Sequence, residues 1–119
     1  MADIVILHNP NCSTSRHAVD VAAELGVDVT ERRYLLKAER LSRDEIVELA
    51  GILEDPVTDL VRRDAKFKEL GLSDQDVDTV DKVADVLAQH FALLQRPIII
   101  RDQKAIVGRP KDRVKPFLS

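Results

Sequence analysis

Residues 4–16 read IVILHNPNCSTSR, a short apolar run followed by a polar loop and the beginning of a helix. An unbroken apolar run of this length is typical of a strand that is buried on both faces of a sheet. Beyond the loop, apolar residues recur at helical spacing, at Ala18, Val21, Ala22 and Leu25. Gly26 follows as a stop signal, and we expect the N-cap among the hydroxyl residues 13–15. The stretch therefore predicts a strand and a helix that meet at Cys12.

The remaining strands predicted by the sequence complete a mixed sheet. Residues 27–36 predict a second strand, parallel to the first because a helix connects the two. Residues 97–100 and 105–107 predict two further strands, which form an antiparallel hairpin because the turn between them is short. Pro110 stands at the first turn of a last helix. We expect the first strand to be central in this sheet.

A helical insertion, about residues 38–95, separates the two pairs of strands. A serine–glutamate capping box predicts a helix over 42–52, and a single apolar face predicts another over 77–90. Without the insertion, the order of elements is β-α-β followed by β-β-α. This is the order of a thioredoxin-like α/β fold with a mixed four-stranded sheet, and we expect residues 1–119 to form one domain of that class.

The composition indicates a globular protein without a general affinity for polyanions. Of the 119 residues, 45% are hydrophobic and 33% are charged, and the formal net charge is −3. A negative charge does not attract nucleic acid or anionic lipid, so any anion site must be local. The first residues lack a basic segment, and no apolar run approaches the ~20 residues that cross a bilayer. We expect a cytoplasmic monomer with no nucleic-acid or membrane partner.

Cys12 is the only cysteine of the chain. One cysteine excludes an intrachain disulfide, and together with three histidines it gives no usual zinc-ligand spacing. We therefore expect no metal and no bound cofactor. Redox chemistry at Cys12 would need a second thiol from another molecule.

The position of Cys12 favours a reactive thiol. Unpaired backbone N–H groups and the helix dipole stabilise a thiolate at a strand-to-helix junction. His8 and Arg16 lie four residues before and after it, so either side chain can bring positive charge near the sulfur. Ser15 occupies the second-cysteine position of a C-x-x-C motif, where its hydroxyl can donate a hydrogen bond to a thiolate but cannot resolve a disulfide. The alternative is a buried, inert thiol, which is common for a lone cysteine.

Four arginines far from the cysteine in sequence are candidate anion-binding groups. Arg96 precedes Pro97, where a cis peptide bond would hold the backbone towards the cysteine loop. The alternative there is a strand-initiating proline after a solvated arginine. Arg109 follows the predicted hairpin and can return to the same end of the sheet. Arg62 and Arg63 end a short apolar helix, where cations are also expected for structural reasons alone.

Taken together, these motifs resemble the ArsC family of glutaredoxin-linked arsenate reductases. The resemblance rests on HNPNCSTSR at 8–16, LVR at 60–62, KELGL at 68–72, RPI at 96–98 and GRP at 108–110. It covers nearly the whole chain, and HNPxC combined with a later RPI and GRP is specific as a set.

The resemblance implies that Cys12 attacks arsenate and that His8 favours its thiolate. The oxyanion would be held by Arg62, Arg96 and Arg109, and guanidinium forks suit a tetrahedral anion. An external glutathione-type thiol would then attack the adduct as co-substrate. A glutaredoxin would take over the resulting mixed disulfide as arsenite leaves.

Alternatives stay open for one arginine and for the function. The segment after Arg62 is about one residue shorter than is usual in the family, so Arg63 is a second candidate for that position. Arg16, close to the cysteine, is expected to join the substrate-binding arginines. The second functional hypothesis is a thiol oxidoreductase of the same fold with another substrate. The third is a regulator of the Spx type that binds RNA polymerase, against which Ser15, in place of a second cysteine, argues.

Overall fold

Four short strands form one mixed sheet in the order β2-β1-β3-β4. The computed structural model describes residues 4–119, and its strands are β1 (Ile4–Leu7), β2 (Thr30–Arg32), β3 (Ile98–Arg101) and β4 (Lys104–Val107). β1 pairs in parallel with β2 and antiparallel with β3, which pairs antiparallel with β4. The predicted mixed four-stranded sheet and the central position of its first strand are confirmed.

Helices cover both faces of this sheet. The α-helices within the described residues are α1 (Ser13–Glu24), α2 (Arg43–Ile52), α3 (Ala65–Glu69), α4 (Val80–Gln89) and α5 (Val114–Leu118). Short 3₁₀ turns lie at Lys37–Glu39, Val57–Leu60, Asp74–Val77, Phe91–Leu93 and Lys111–Arg113. Within residues 4–119, no helix is both long and apolar enough to cross a membrane.

Alternation of side chains along β1 divides the core into two layers. Ile4 and Ile6 pack with α1 and α5 on one face of the sheet, while Leu7 packs with the helices of the insertion on the other. β1 is therefore buried on both faces, as its unbroken apolar sequence predicts. The polar loop that follows it leaves the middle of the sheet and leads directly to Cys12.

The second strand is shorter than the sequence predicts. It covers Thr30–Arg32 instead of 27–36, because β1 offers it only three partners, Val5 to Leu7. The backbone then turns away from the sheet, where the N–H of Tyr34 donates to the carbonyl of Arg32 over 3.1 Å. The end of β2 therefore depends on the length of its pairing with β1, which cannot be inferred from the sequence of β2 alone.

Two helix starts were predicted with different success. The capping box at the start of α2 is confirmed, since the Ser42 side chain accepts from the Glu45 N–H and Glu45 accepts from the Ser42 N–H. The expected hydroxyl N-cap of α1 is wrong. Cys12 itself is the N-cap residue, without a side-chain capping hydrogen bond, and residues 13–15 form the first turn. The N-terminal N–H groups of α1 therefore face the thiol.

Two proline loops meet at the end of the sheet that carries Cys12. The predicted cis peptide bond at Arg96–Pro97 is confirmed, and Arg109–Pro110 is a second cis bond that was not predicted. The Gly108 N–H donates to the Pro97 carbonyl over 2.9 Å. A Cβ atom on Gly108 would lie 2.7 Å from Cγ of Pro97, so only glycine allows this approach.

Candidate active site

The loop before α1 places Cys12 by hydrogen bonds of its own backbone. The Cys12 N–H donates to the carbonyl of Asn9 over 3.0 Å, and the Asn11 N–H donates to Oδ1 of the same buried asparagine over 3.0 Å. At the other side, the Cys12 carbonyl accepts the first helical bond from Arg16 over 3.0 Å. The sulfur thus stands at the beginning of α1 and stays partly accessible.

The surroundings of Cys12 favour its thiolate form. Burial raises the pKa of the thiol, but hydrogen bonds from the Ser15 N–H and from the Arg96 guanidinium more than offset this and lower it to about 7. The Thr14 N–H and the Ser15 hydroxyl act in the same direction. That hydroxyl is fully buried and has no other hydrogen-bond partner among residues 4–119. The thiolate form is therefore much more accessible near neutral pH than in an ordinary cysteine.

Two of the predicted arginines reach the sulfur. Nη2 of Arg109 lies 3.5 Å from Sγ of Cys12, and Nε of Arg109 donates to the carbonyl of Arg96 over 2.7 Å. The guanidinium of Arg96 is close enough to the sulfur and to the hydroxyl of Tyr34 to have a lowering effect on the pKa of both groups. Each of these arginines immediately precedes the proline of one cis bond, and they lie 84 and 97 residues after Cys12 along the chain. The β3–β4 hairpin and its register bring them together.

Arg62 and Arg63 point in different directions. Arg62 is partly buried, pairs with Asp64 over 3.3 Å (Nε to Oδ2), and lies close enough to lower the pKa of Tyr34. Arg63 is bound elsewhere: its Nε lies 3.3 Å from Oδ1 of Asp74, and its Nη1 donates to the carbonyl of Thr58 over 2.6 Å. Arg62 is thus the one that lies near Tyr34, whereas Arg63 lines a cavity together with Arg109.

Arg16 and His8 have contacts with groups other than the sulfur. Nη1 of the exposed Arg16 donates to the carbonyl of Pro10 over 2.9 Å and so stabilises the cysteine loop on its solvent-exposed side. His8 is 4% exposed, and burial lowers the pKa of its imidazole against the opposing effect of Glu31. Burial therefore disfavours the positively charged form of His8, which is one of the two expected sources of charge near the sulfur. A part for His8 in the chemistry stays a prediction.

Two residues of the site region escaped the sequence analysis. Tyr34 is 1% exposed, and the nearby Arg96 has a lowering effect on its pKa, but a tyrosine in a predicted strand gives no sign of such a neighbour. Asp55 accepts from the Val107 N–H over 2.9 Å and from Nη2 of Arg113 over 2.8 Å, and so supports the loop that carries Arg109. In the part of the chain that the structure describes, no group of three or more His, Cys, Asp or Glu residues is arranged to hold a metal ion.

Fold and site together define a thioredoxin-like protein with a single activated cysteine at the start of its first helix and two guanidinium groups beside it. The sequence pattern of the ArsC family matches residues 7–117. The chain belongs to the ArsC family.

Its similarity to individual proteins extends over nearly its full length. It is 36% identical to an arsenate reductase of Neisseria meningitidis over 99% of this chain and 100% of that protein. It is 34% identical to an arsenate reductase of Escherichia coli over 99% of this chain and 82% of that one. The solved structure of an arsenate reductase from Vibrio cholerae superposes with a TM-score of 0.82 at 31% identity, covering 96% and 97% of the two chains.

Proposed function

We propose that this protein is an arsenate reductase that converts arsenate to arsenite through an adduct on Cys12. The observation that carries the proposal is the meeting of Arg96 and Arg109 at a thiol whose pKa is lowered to about 7. Two guanidinium groups repel each other, and a chain with a net charge of −3 has no general need to concentrate them. A bound anion would remove that repulsion.

The arginines suit arsenate on chemical grounds. Guanidinium forks bind tetrahedral oxyanions through paired hydrogen bonds, which ammonium groups cannot do. Arg109 contacts the sulfur and Arg96 lowers its pKa, so an anion bound by both would have its central atom next to the nucleophile. We propose Arg62 and Arg16 as further anion-binding groups, and Arg16 also supports the cysteine loop through the carbonyl of Pro10.

The reaction follows in three balanced steps. The Cys12 thiolate attacks the arsenic atom, an As–S bond forms, and one oxygen leaves as water after protonation. A glutathione-type thiolate then attacks the Cys12 sulfur; an S–S bond forms, the As–S pair of electrons returns to arsenic, and arsenite leaves. A glutaredoxin thiol finally displaces Cys12 from the mixed disulfide and restores it.

The single cysteine supports external reductants. Because the described site has no second thiol near Cys12, both electrons must come from other molecules, here a glutathione-type thiol and a glutaredoxin. We propose that the protein acts as a single-domain monomer in the cytoplasm, where such thiols are kept reduced. No resident cofactor enters the proposed reaction.

A coupled assay tests this function. Purified protein is mixed with arsenate, glutathione, glutaredoxin, glutathione reductase and NADPH, and oxidation of NADPH is followed with each component left out in turn. We expect oxidation that requires arsenate, and its loss in the Cys12→Ser variant, because a hydroxyl forms neither the adduct nor the disulfide. Arg63→Ala is the matched control, since the Arg63 guanidinium is bound to Asp74 and to the carbonyl of Thr58.

The same assay distinguishes the second hypothesis. Arsenate-independent exchange of Cys12 with glutathione disulfide, without arsenate-dependent NADPH oxidation, would identify a thiol oxidoreductase acting on another substrate. Phosphate and sulfate in place of arsenate show whether any oxidation depends on a reducible centre in the anion.

A further inference from the structure

The carboxylate of Asp55 takes a hydrogen-bonding position at the outer edge of β4. Residues 53–55 run along this edge, where the Glu54 N–H donates to the carbonyl of Ala105 over 2.9 Å. The next donor along the edge, the Val107 N–H, donates to Oδ2 of Asp55 over 2.9 Å instead of to a backbone carbonyl. The Asp55 side chain is 14% exposed. A largely buried carboxylate therefore fixes the end of β4.

Arg113 binds this carboxylate and the backbone beyond it at the same time. Its Nη2 donates to Oδ1 of Asp55 over 2.8 Å and its Nη1 donates to Oδ2 over 3.2 Å, which is the paired geometry of an arginine–carboxylate contact. Nη1 also donates to the carbonyl of Val107 over 3.0 Å and to the carbonyl of Arg109 over 3.3 Å. One guanidinium thus joins the aspartate to both ends of the segment 107–109.

Arg109 is consequently held at both ends. Its backbone carbonyl accepts from Arg113, its Nε donates to the carbonyl of Arg96 over 2.7 Å, and its Nη2 lies 3.5 Å from Sγ of Cys12. An arginine side chain has many rotamers, so its guanidinium keeps one place only when the backbone below it is also fixed. The contacts of Asp55 and Arg113 supply that fixed backbone.

The opposite charges of the pair suit a support beside an anion site. A further unpaired guanidinium near Arg109 would add to the repulsion between cations. Asp55 balances the charge of Arg113, so the pair fixes the backbone without adding net positive charge.

We propose that Asp55 and Arg113 form a positioning pair that keeps the Arg109 guanidinium beside the Cys12 sulfur. The pair acts through the 107–109 backbone. For catalysis the proposal rests on the proposed arsenate reduction. The position of Arg109 can be measured without any substrate.

The first experiment follows the Nε–H proton of Arg109 by nuclear magnetic resonance on isotope-labelled protein. This proton donates to a fixed carbonyl and should exchange slowly with water, and its absence in Arg109→Lys assigns the signal. The Nε–H of Arg32, which donates to the carbonyl of Glu39 over 2.8 Å, is an internal reference on the opposite edge strand of the sheet. We expect Arg113→Ala to accelerate exchange at Arg109 about 10-fold, as for the loss of one hydrogen bond, and at Arg32 by less than about twofold.

The conservative variant Arg113→Lys separates position from charge. Lysine keeps the positive charge, but its single ammonium group cannot bind both carboxylate oxygens in parallel together with two carbonyls. We therefore expect Arg113→Lys to accelerate exchange at Arg109 nearly as much as Arg113→Ala does, and it provides the same test if Arg113→Ala does not fold.

Three results would overturn the proposal. The first is a wild-type Arg109 proton that exchanges as fast as a free guanidinium. The second is exchange at Arg109 that stays at the wild-type rate in a folded Arg113 variant. The third is equal acceleration at Arg109 and Arg32, which would show a general loosening of the fold. Arg43→Ala removes another arginine–aspartate pair, between α2 and α4, and as the matched control it should leave both protons unchanged.

The coupled assay measures the consequence for catalysis. If arsenate is reduced, Arg113→Ala should lower kcat/KM for arsenate by about 3- to 10-fold in the wild-type background, but by less than about twofold in Arg109→Ala. Equal losses in both backgrounds would overturn the catalytic part of the proposal, because Arg113 would then act independently of Arg109. If no oxidation depends on arsenate, the proposed function fails, and the exchange of the Nε–H protons alone decides whether the pair positions Arg109.

Discussion

Removal of the Arg96 guanidinium should raise the pKa of the Cys12 thiol without returning it to an ordinary value. Burial raises this pKa, and the groups that lower it to about 7 from 9.0 are led by the Ser15 N–H, with the Arg96 side chain next. A charge-assisted hydrogen bond of ~1.5–3 kcal/mol corresponds to one or two pH units, and the partial exposure of the sulfur places the effect at the lower end. We therefore expect Arg96→Ala to shift the midpoint of the pH dependence of Cys12 alkylation to about 8.

The backbone donors explain why the shift should stop there. No side-chain substitution removes the N–H groups of Thr14 and Ser15, so they continue to stabilise the thiolate in Arg96→Ala. Ser15→Ala, which removes only the hydroxyl, should move the midpoint by less than Arg96→Ala does. The order of the two effects is a sharper test than either value alone.

The alkylation rate of Cys12 has to be measured over a range of pH, because the rate at a single pH is not informative. A rise of the Cys12 pKa from about 7 to about 8 lowers the thiolate fraction at pH 7 by roughly fivefold, but each thiolate becomes about threefold more nucleophilic. The net change in alkylation rate at pH 7 is only about twofold, whereas the midpoint moves by a full pH unit. A wild-type midpoint near 9, or an Arg96→Ala midpoint that stays near 7, would refute this account of the site.

Three further predictions concern the groups around the site and the fold. Arg62→Ala should lower arsenate-dependent turnover roughly 10-fold or more while Arg63→Ala stays within about twofold, and equal losses in the coupled assay would contradict the different directions of the two side chains. Glu45→Gln should cost about 1 kcal/mol at neutral pH, because hydrogen bonds from Arg32 lower the pKa of Glu45 from 4.5 to about 2. Since a depressed carboxyl pKa stabilises the fold above 4.5 and this is lost as the pH falls towards 2, melting curves of Glu45→Gln and wild type should converge in acid. Asp55→Asn should lower the free energy of unfolding by about 1–3 kcal/mol in urea, and an unchanged value would show that its hydrogen bonds to the end of β4 contribute nothing.

The parts of the site that are local in sequence were predictable. Cys12 follows a buried strand within five residues, so its place at the beginning of α1 depends on neighbours alone. The expected N-cap, however, lies among the hydroxyl residues 13–15, because capping preferences describe side chains that accept hydrogen bonds. In the structure the N-cap is Cys12, which lies in a loop shaped by hydrogen bonds to Asn9.

The parts that depend on pairing and burial were not predictable from spacing. His8 lies four residues from Cys12 in the sequence, but its pKa depends on how deeply the end of β1 is buried, and this burial lowers it. The difference between Arg62 and Arg63 depends on which acceptors each one meets, among them Asp74, eleven residues away from Arg63. Adjacent residues on an irregular segment point in directions that composition does not reveal.

The missing side chain of Gly108 offers a way to recognise this site in other chains. Arginine is common on protein surfaces, so an arginine near the end of a hairpin says little by itself. The 2.7 Å that would separate a Cβ at position 108 from Cγ of Pro97 means that a methyl group there would push the two loops apart and move Arg109 off the sulfur. A related chain that keeps the arginine but has a larger residue before it should therefore be expected to have lost the anion pocket, whereas one that keeps the glycine retains the spacing that the pocket requires.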